Sequence, residues 1–156
     1  MTSKVFVAMR VPVGPARAFE AFTCEIASWW RSDRLFQITP DGDGELAFEP
    51  GVGGRLITRL KSGDTFEVGR ISVWEPGKRL LFSWRQANFS PEQSTEVEVV
   101  FEPVDGETRV SIEHRAWDTI PRRHVARHGF PEHTTLQRAA DWWRGSLAML
   151  RSRLGA

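Results

Sequence analysis

The 156-residue chain contains no tyrosine, one cysteine, and only three lysines among its 21 basic side chains. A lone Cys24 excludes an internal disulfide and fits a reducing compartment, so a cytoplasmic location is expected. No apolar run approaches the roughly 18–20 residues of a membrane span, and no signal-peptide pattern opens the sequence. The net charge of +1 gives no field with which to gather nucleic acid, and the preference for arginine reads as base composition. No linker-like or low-complexity stretch and no internal repeat divides the chain, so residues 1–156 read as a single domain.

Against these absences stand seven Trp and ten Phe in a chain that is 40% hydrophobic. Such rings supply large apolar surface, and each Trp adds one hydrogen-bond donor. They suit either a bulky core or the wall of a cavity.

The clearest pattern is a hairpin followed by a helix. Val97, Val99 and Phe101 alternate with Glu96, Glu98 and Glu102, and Asp105-Gly106 marks a two-residue turn. Val110, Ile112 and His114 then alternate with Arg109, Glu113 and Arg115. The turn sets Phe101 against Val110, Val99 against Ile112 and Val97 against His114 on one face. On the other face it sets Glu102 against Arg109 and Glu96 against Arg115. Glu98 falls opposite Glu113, a like-charge pair expected to lie in water.

Elsewhere, Val5, Val7, Met9 and Val11 mark a first strand over 4–13, and Gly14-Pro15 opens a helix over 16–23. A helical turn is expected at 26–30 and a loop at 31–44. Strands follow at 45–50, 54–61, 65–75 and 78–87, separated by Gly- and Pro-containing turns. Val73 should face Leu80 and Ile71 should face Phe82. That register sets Gly69 against Trp84, and a bulge there would return Val68 and Phe66 to the inner face. The last helix is expected over 132–154, with Leu136, Ala139, Ala140, Trp143, Leu147, Leu150 and Leu154 in one stripe.

Several short motifs, in order over nearly the whole chain, resemble a known family. They begin with Val11 to Thr23 and Trp29-Trp30, and continue through Gly53-Gly54-Arg55 and Gly69 to Trp84. Thr108-Arg109-Val110, Glu113-His114, Gly129-Phe130 and the Trp142-Trp143 helix complete them. They resemble the bacterial proteins named for similarity to the activator of the heat-shock protein 90 ATPase, within the START, polyketide-cyclase or SRPBCC superfamily. The resemblance implies an α+β helix-grip fold. In it, a curved antiparallel sheet of six or seven strands wraps a long C-terminal helix, with two short helices after the first strand. It also implies a cavity between sheet and helix, and brings no shared catalytic set.

The candidate ligand-binding residues are Trp84, Phe101, Val110, Ile112, His114, Trp117, Trp143 and Leu147. Rigid rings give contact area at low entropy cost, and His114 is the one titratable group in the inward register. His124, His128 and His133 with Glu132 lie close in sequence, but three arginines in the same segment would repel a cation. No metal, cofactor or catalytic set is therefore assigned. Gly51 to Arg55 precedes a strand, so it reads as a turn and not as a phosphate loop. Cys24 reads as a small buried hydrophobe, and Glu45 and Glu49 stay unassigned. The leading reading is a non-enzymatic binder of a small, largely apolar molecule, monomeric or weakly dimeric, with no nucleic-acid or membrane partner. One alternative is a polyketide-cyclase-like or hydrolase-like enzyme using His114 as acid or base; another is a chaperone-interacting module.

Overall fold

The computed structural model describes residues 4–30, 45–59, 63–84, 95–115 and 132–155, the side chains of 132–136 excepted. The expected loop at 31–44, Trp117, His124 and His128 lie outside the described residues, as do the side chains of Glu132, His133 and Leu136. The elements run β1 (Lys4–Val11), α1 (Pro15–Cys24), α2 (Ile26–Trp29), β2 (Glu45–Phe48) and β3 (Arg55–Arg59). They continue with β4 (Thr65–Glu75), β5 (Arg79–Trp84), β6 (Thr95–Val104), β7 (Glu107–Arg115) and α3 (Glu132–Arg153).

All pairings are antiparallel, in one seven-stranded sheet of order β1-β7-β6-β5-β4-β3-β2. The sheet curls. Phe48 on the edge strand β2 touches Phe82 on β5, ring centroids 5.2 Å apart, whereas a flat sheet would hold strands three places apart about 14 Å from each other. The helix α3 packs alongside β1, and α1 contacts β6 and β7. Among the described residues, no helix is long and apolar enough to cross a membrane.

The β6–β7 hairpin has the register that alternation predicts, with Phe101 opposite Val110, Val99 opposite Ile112 and Val97 opposite His114. Its turn uses positive φ at Asp105 (49°) and Gly106 (81°), the geometry whose twist matches that of the strands. One expectation is corrected. Glu98 does face Glu113, but its side chain is only 19% exposed and is held by Arg79 and Arg115. Burial works to raise the Glu98 pKa; the bonds from Arg79 and Arg115 outweigh it and hold the carboxyl below its ordinary value.

The β4–β5 pairing is a second correction. The connection takes Pro76, Gly77 and Lys78, one residue more than a Pro-Gly turn, so Val73 faces Leu81 and Trp74 faces Leu80. An irregularity between Ile71 and Val73 restores Ile71 opposite Phe82. The bulge expected at Gly69 is present on the β3 side, where Leu56 pairs with Gly69 and Ile57 with Glu67. It leaves Val68 buried and Phe66 packed on the core. What demands glycine is the Ser83 backbone and not the Trp84 indole: a Cβ at Gly69 would lie 1.6 Å from the Ser83 carbonyl oxygen.

Cys24 is exposed, contrary to expectation. It ends α1, whose buried residues are Ala18, Phe19, Ala21, Phe22 and Thr23, and the helical repeat carries the next position out to solvent. The Gly51–Arg55 segment is a turn, with Gly51 and Gly53 at positive φ. Glu49 reaches back across it to bind Arg55 at 2.8 and 2.9 Å.

Two glycines give opposite expectations. Gly69→Ala should cost about 3 kcal/mol or more, because neither strand backbone can yield to the new methyl group. Gly145 sits within α3, where a Cβ would meet no heavy atom within 4 Å apart from the helix backbone and the adjoining residues, so Gly145→Ala should stabilise by about 0.5–1 kcal/mol. Urea midpoints that moved together would contradict the assigned geometry.

Candidate functional site

Alternation along the three central strands carries their inward residues to one surface. Leu80, Phe82 and Trp84 come from β5; Thr95, Val97, Val99 and Phe101 from β6; and Val110, Ile112 and His114 from β7. Trp84 and Thr95 are directly paired where β5 ends and β6 begins, and His114 pairs with Val97, two residues further along β6. From the other side α3 presents Ala139, Trp142, Trp143, Ser146, Leu147 and Leu150, all buried.

His114 and Trp143 meet between these layers, and both are fully buried. The Trp143 Nε1–H donates to Nδ1 of His114 at 3.0 Å. An indole nitrogen can only donate, so Nδ1 must be the acceptor and the ring proton sits on Nε2. Nε2 lies 2.6 Å from Thr95 Oγ1, which is thus the acceptor there. The Thr95 hydroxyl passes its own proton 3.1 Å to the Trp84 carbonyl. The result is a one-directional relay from helix to sheet, indole to imidazole to hydroxyl to carbonyl. Burial pushes the His114 pKa down to about 3, and a second ring proton would also face the Trp143 donor.

Aromatic rings close around this relay. Trp84, His114 and Trp143 form a mutual triangle with centroid separations of 5.7, 5.9 and 6.0 Å. Trp142 packs on Trp143 at 4.8 Å and on Trp84 at 5.5 Å. Trp30, just past α2, touches Trp84, Trp142 and Trp143 at 5.7, 5.2 and 5.7 Å. Among the described residues, two of the indole nitrogens in the group, Trp84 Nε1 and Trp30 Nε1, are buried with no hydrogen-bond partner, and so is the Thr58 hydroxyl on β3. No charged side chain appears among the buried polar residues described, which are Thr, Ser and His.

Of the eight residues singled out by sequence, Trp84, Phe101, Val110, Ile112, His114, Trp143 and Leu147 are all buried, and Trp117 lies outside the described residues. Phe101 is set apart from the Trp84–Trp143 group: its ring packs on Phe19 and Phe22 of α1 at 5.2 and 6.0 Å. Sequence reasoning missed Thr95, Trp30 and Trp142. Thr95 continues the inward parity of Val97, and the doublets Trp29-Trp30 and Trp142-Trp143 were available signals. Among the described residues, no three His, Cys, Asp or Glu side chains converge as a metal site. Chemically, the relay consumes both imidazole nitrogens in protein hydrogen bonds. What it leaves is an aromatic surface with two donors and no charge.

Residues 12–155 match the family model described as Activator of Hsp90 ATPase homolog 1-like protein. No curated protein matches the chain in sequence. Among solved structures it is similar to protein MLL2253 from Mesorhizobium loti, at TM-score 0.64 and 19% identity, covering 96% of this chain and 94% of that one. It is similar to the Aha1 dimer from Colwellia psychrerythraea, at TM-score 0.64 and 17% identity, covering 97% and 95%. It is also similar to CalU16 from Micromonospora echinospora, at TM-score 0.62 and 17% identity, covering 99% and 75%. At these identities the likeness is one of fold.

The relay makes definite predictions. Long-range nitrogen–proton NMR should place the His114 proton on Nε2 and find the ring neutral throughout pH 8 to 5. Because the folded pKa of about 3 lies below the ordinary 6.5, the unfolded chain binds a proton in that window which the folded chain refuses. Stability is thus full above pH 6.5 and erodes as pH falls toward 3. Between pH 7 and pH 5 the wild type should lose about 2 kcal/mol more than His114→Phe; equal losses would refute the buried neutral ring. Trp143→Ala should cost about 3–5 kcal/mol in denaturant unfolding.

Proposed function

This chain belongs to the Activator of Hsp90 ATPase homolog 1-like family, and on that footing we propose that it is a non-enzymatic binding protein for a small, largely apolar molecule. The molecule is held between the concave face of the sheet and α3. The observation that carries this reading is the pair of buried indole N–H groups, on Trp84 and Trp30, with no acceptor among the described residues. Buried polar groups in a finished core are nearly always paired, since an unmade hydrogen bond costs about 1–3 kcal/mol. A surface of rigid rings that keeps donors in reserve suits a guest. We place Trp84, His114, Trp143 and Leu147 at its walls and Val110 and Ile112 at its floor, with Phe101 toward α1. The committed ring nitrogens of His114 speak for a wall residue in preference to an acid or base.

For assembly we propose a monomer or weak dimer. The convex face of β6 and β7 carries paired charges, Arg115 with Glu96 and Glu98 among them, which disfavours stacking of sheets there. The similar Colwellia protein is described as a dimer.

Two measurements test these readings. Native mass spectrometry of the full chain should show a copurified small molecule, or N-phenyl-1-naphthylamine should bind saturably with one-to-one stoichiometry and gain fluorescence. Absence of both signals would overturn the binding proposal. Sedimentation velocity should give a monomer or a concentration-dependent dimer, and a concentration-independent tetramer would overturn the second.

A further inference from the structure

Resting on the binding reading above, we infer that the ligand is an uncharged molecule with a carbonyl oxygen that accepts from the indole N–H groups of Trp84 and Trp30. The two rings touch, centroids 5.7 Å apart and planes inclined by 49°, and neither nitrogen has a partner among the described residues. An indole can only donate, so whatever satisfies it must accept, and a carbonyl oxygen has two lone pairs with which to meet both.

The polar contact that sequence parity would give to His114 therefore passes to the tryptophans. His114 is engaged by Trp143 at Nδ1 and Thr95 at Nε2, and its role is to hold the Trp143 ring and the Trp84 backbone in place. The buried polar residues described are Thr, Ser and His, so an ionised carboxylate or ammonium would shed its water with no counter-charge to receive it. A ketone or quinone-like oxygen on a flat aromatic or polycyclic skeleton pays far less for transfer, and its skeleton matches the rings of Trp84, Trp142 and Trp143.

The test uses the full chain and three probes of one shape: 9-fluorenone, fluorene and fluorene-9-carboxylate. Titration calorimetry should show fluorenone binding at least tenfold more tightly than fluorene, and the carboxylate more weakly than either. In nitrogen-15 spectra, two indole N–H signals should move downfield with the ketone and stay in place with the hydrocarbon. Trp30→Phe keeps a ring, deletes one donor and alters a side chain that is only partly buried, so it remains folded even if Trp84→Phe does not. It should lower the ketone-to-hydrocarbon affinity ratio at least threefold. Equal affinities for fluorenone and fluorene would overturn the carbonyl assignment and leave the container standing. Tighter binding of the carboxylate would overturn the uncharged class. Binding of none of the three would sink the container reading itself.

Discussion

A single neutral imidazole joins the last helix to three strands of the sheet. The Trp143 indole, the His114 ring, the Thr95 hydroxyl and the Trp84 carbonyl belong to α3, β7, β6 and β5 in turn. Each bond in that series fixes the direction of the next, because the first member can only donate and the last can only accept. Buried apolar surface drives α3 onto the sheet but does not choose among the many ways a greasy stripe can lie there. A satisfied polar series does choose, since a helix rotated or shifted by one residue would leave polar groups on both layers unpaired inside the protein.

The rest of the molecule supplies the shape that makes this meeting possible. The sheet curls far enough for Phe48 on one edge to reach Phe82 at the middle, and irregularities on both sides of β4 assist the bend. Gly69 permits the close approach of the Ser83 backbone. Outside the curl, Arg115 ties together Glu96, Glu98 and Glu113, and at the far end of α3 Arg153 joins Arg17 on Glu25. The Arg17 contact, followed by Arg153, holds the Glu25 carboxyl below its usual value against the opposing pull of burial. Ion pairs as open as Arg153–Glu25 contribute little to stability, and their value is to position the helix end against the α1–α2 corner.

The aromatic surplus of the composition finds its place here. Trp30, Trp84, Trp142 and Trp143 gather around His114, so the rings form one contiguous surface. The fold is shared with proteins whose sequences have diverged to below one-fifth identity. Among the described residues, the interior of this chain is rich in indole, free of buried charge, and holds indole donors without an acceptor.

The sequence by itself determined the elements and the hairpin register. Period-two alternation in 95–115, with Asp105-Gly106 suited to a two-residue turn, leaves one pairing that buries Val97, Val99 and Phe101 together with Val110, Ile112 and His114. The order of weak motifs was enough to name the family and its helix-grip architecture. Tertiary structure alone decided the rest, because those outcomes depend on distances between segments remote in sequence. The fate of Glu98 turned on Arg79 and Arg115, 19 and 17 residues away. Gly69 was legible as a special position, but the Ser83 carbonyl that makes it so was not. Cys24 lay one position past a buried face that only docking of α1 could define. The state of His114 was likewise undecided by parity, which says that a side chain points inward but not what it will meet. Its tautomer and its depressed pKa follow from an indole 29 residues away and a hydroxyl 19 residues away, brought to either side of one ring.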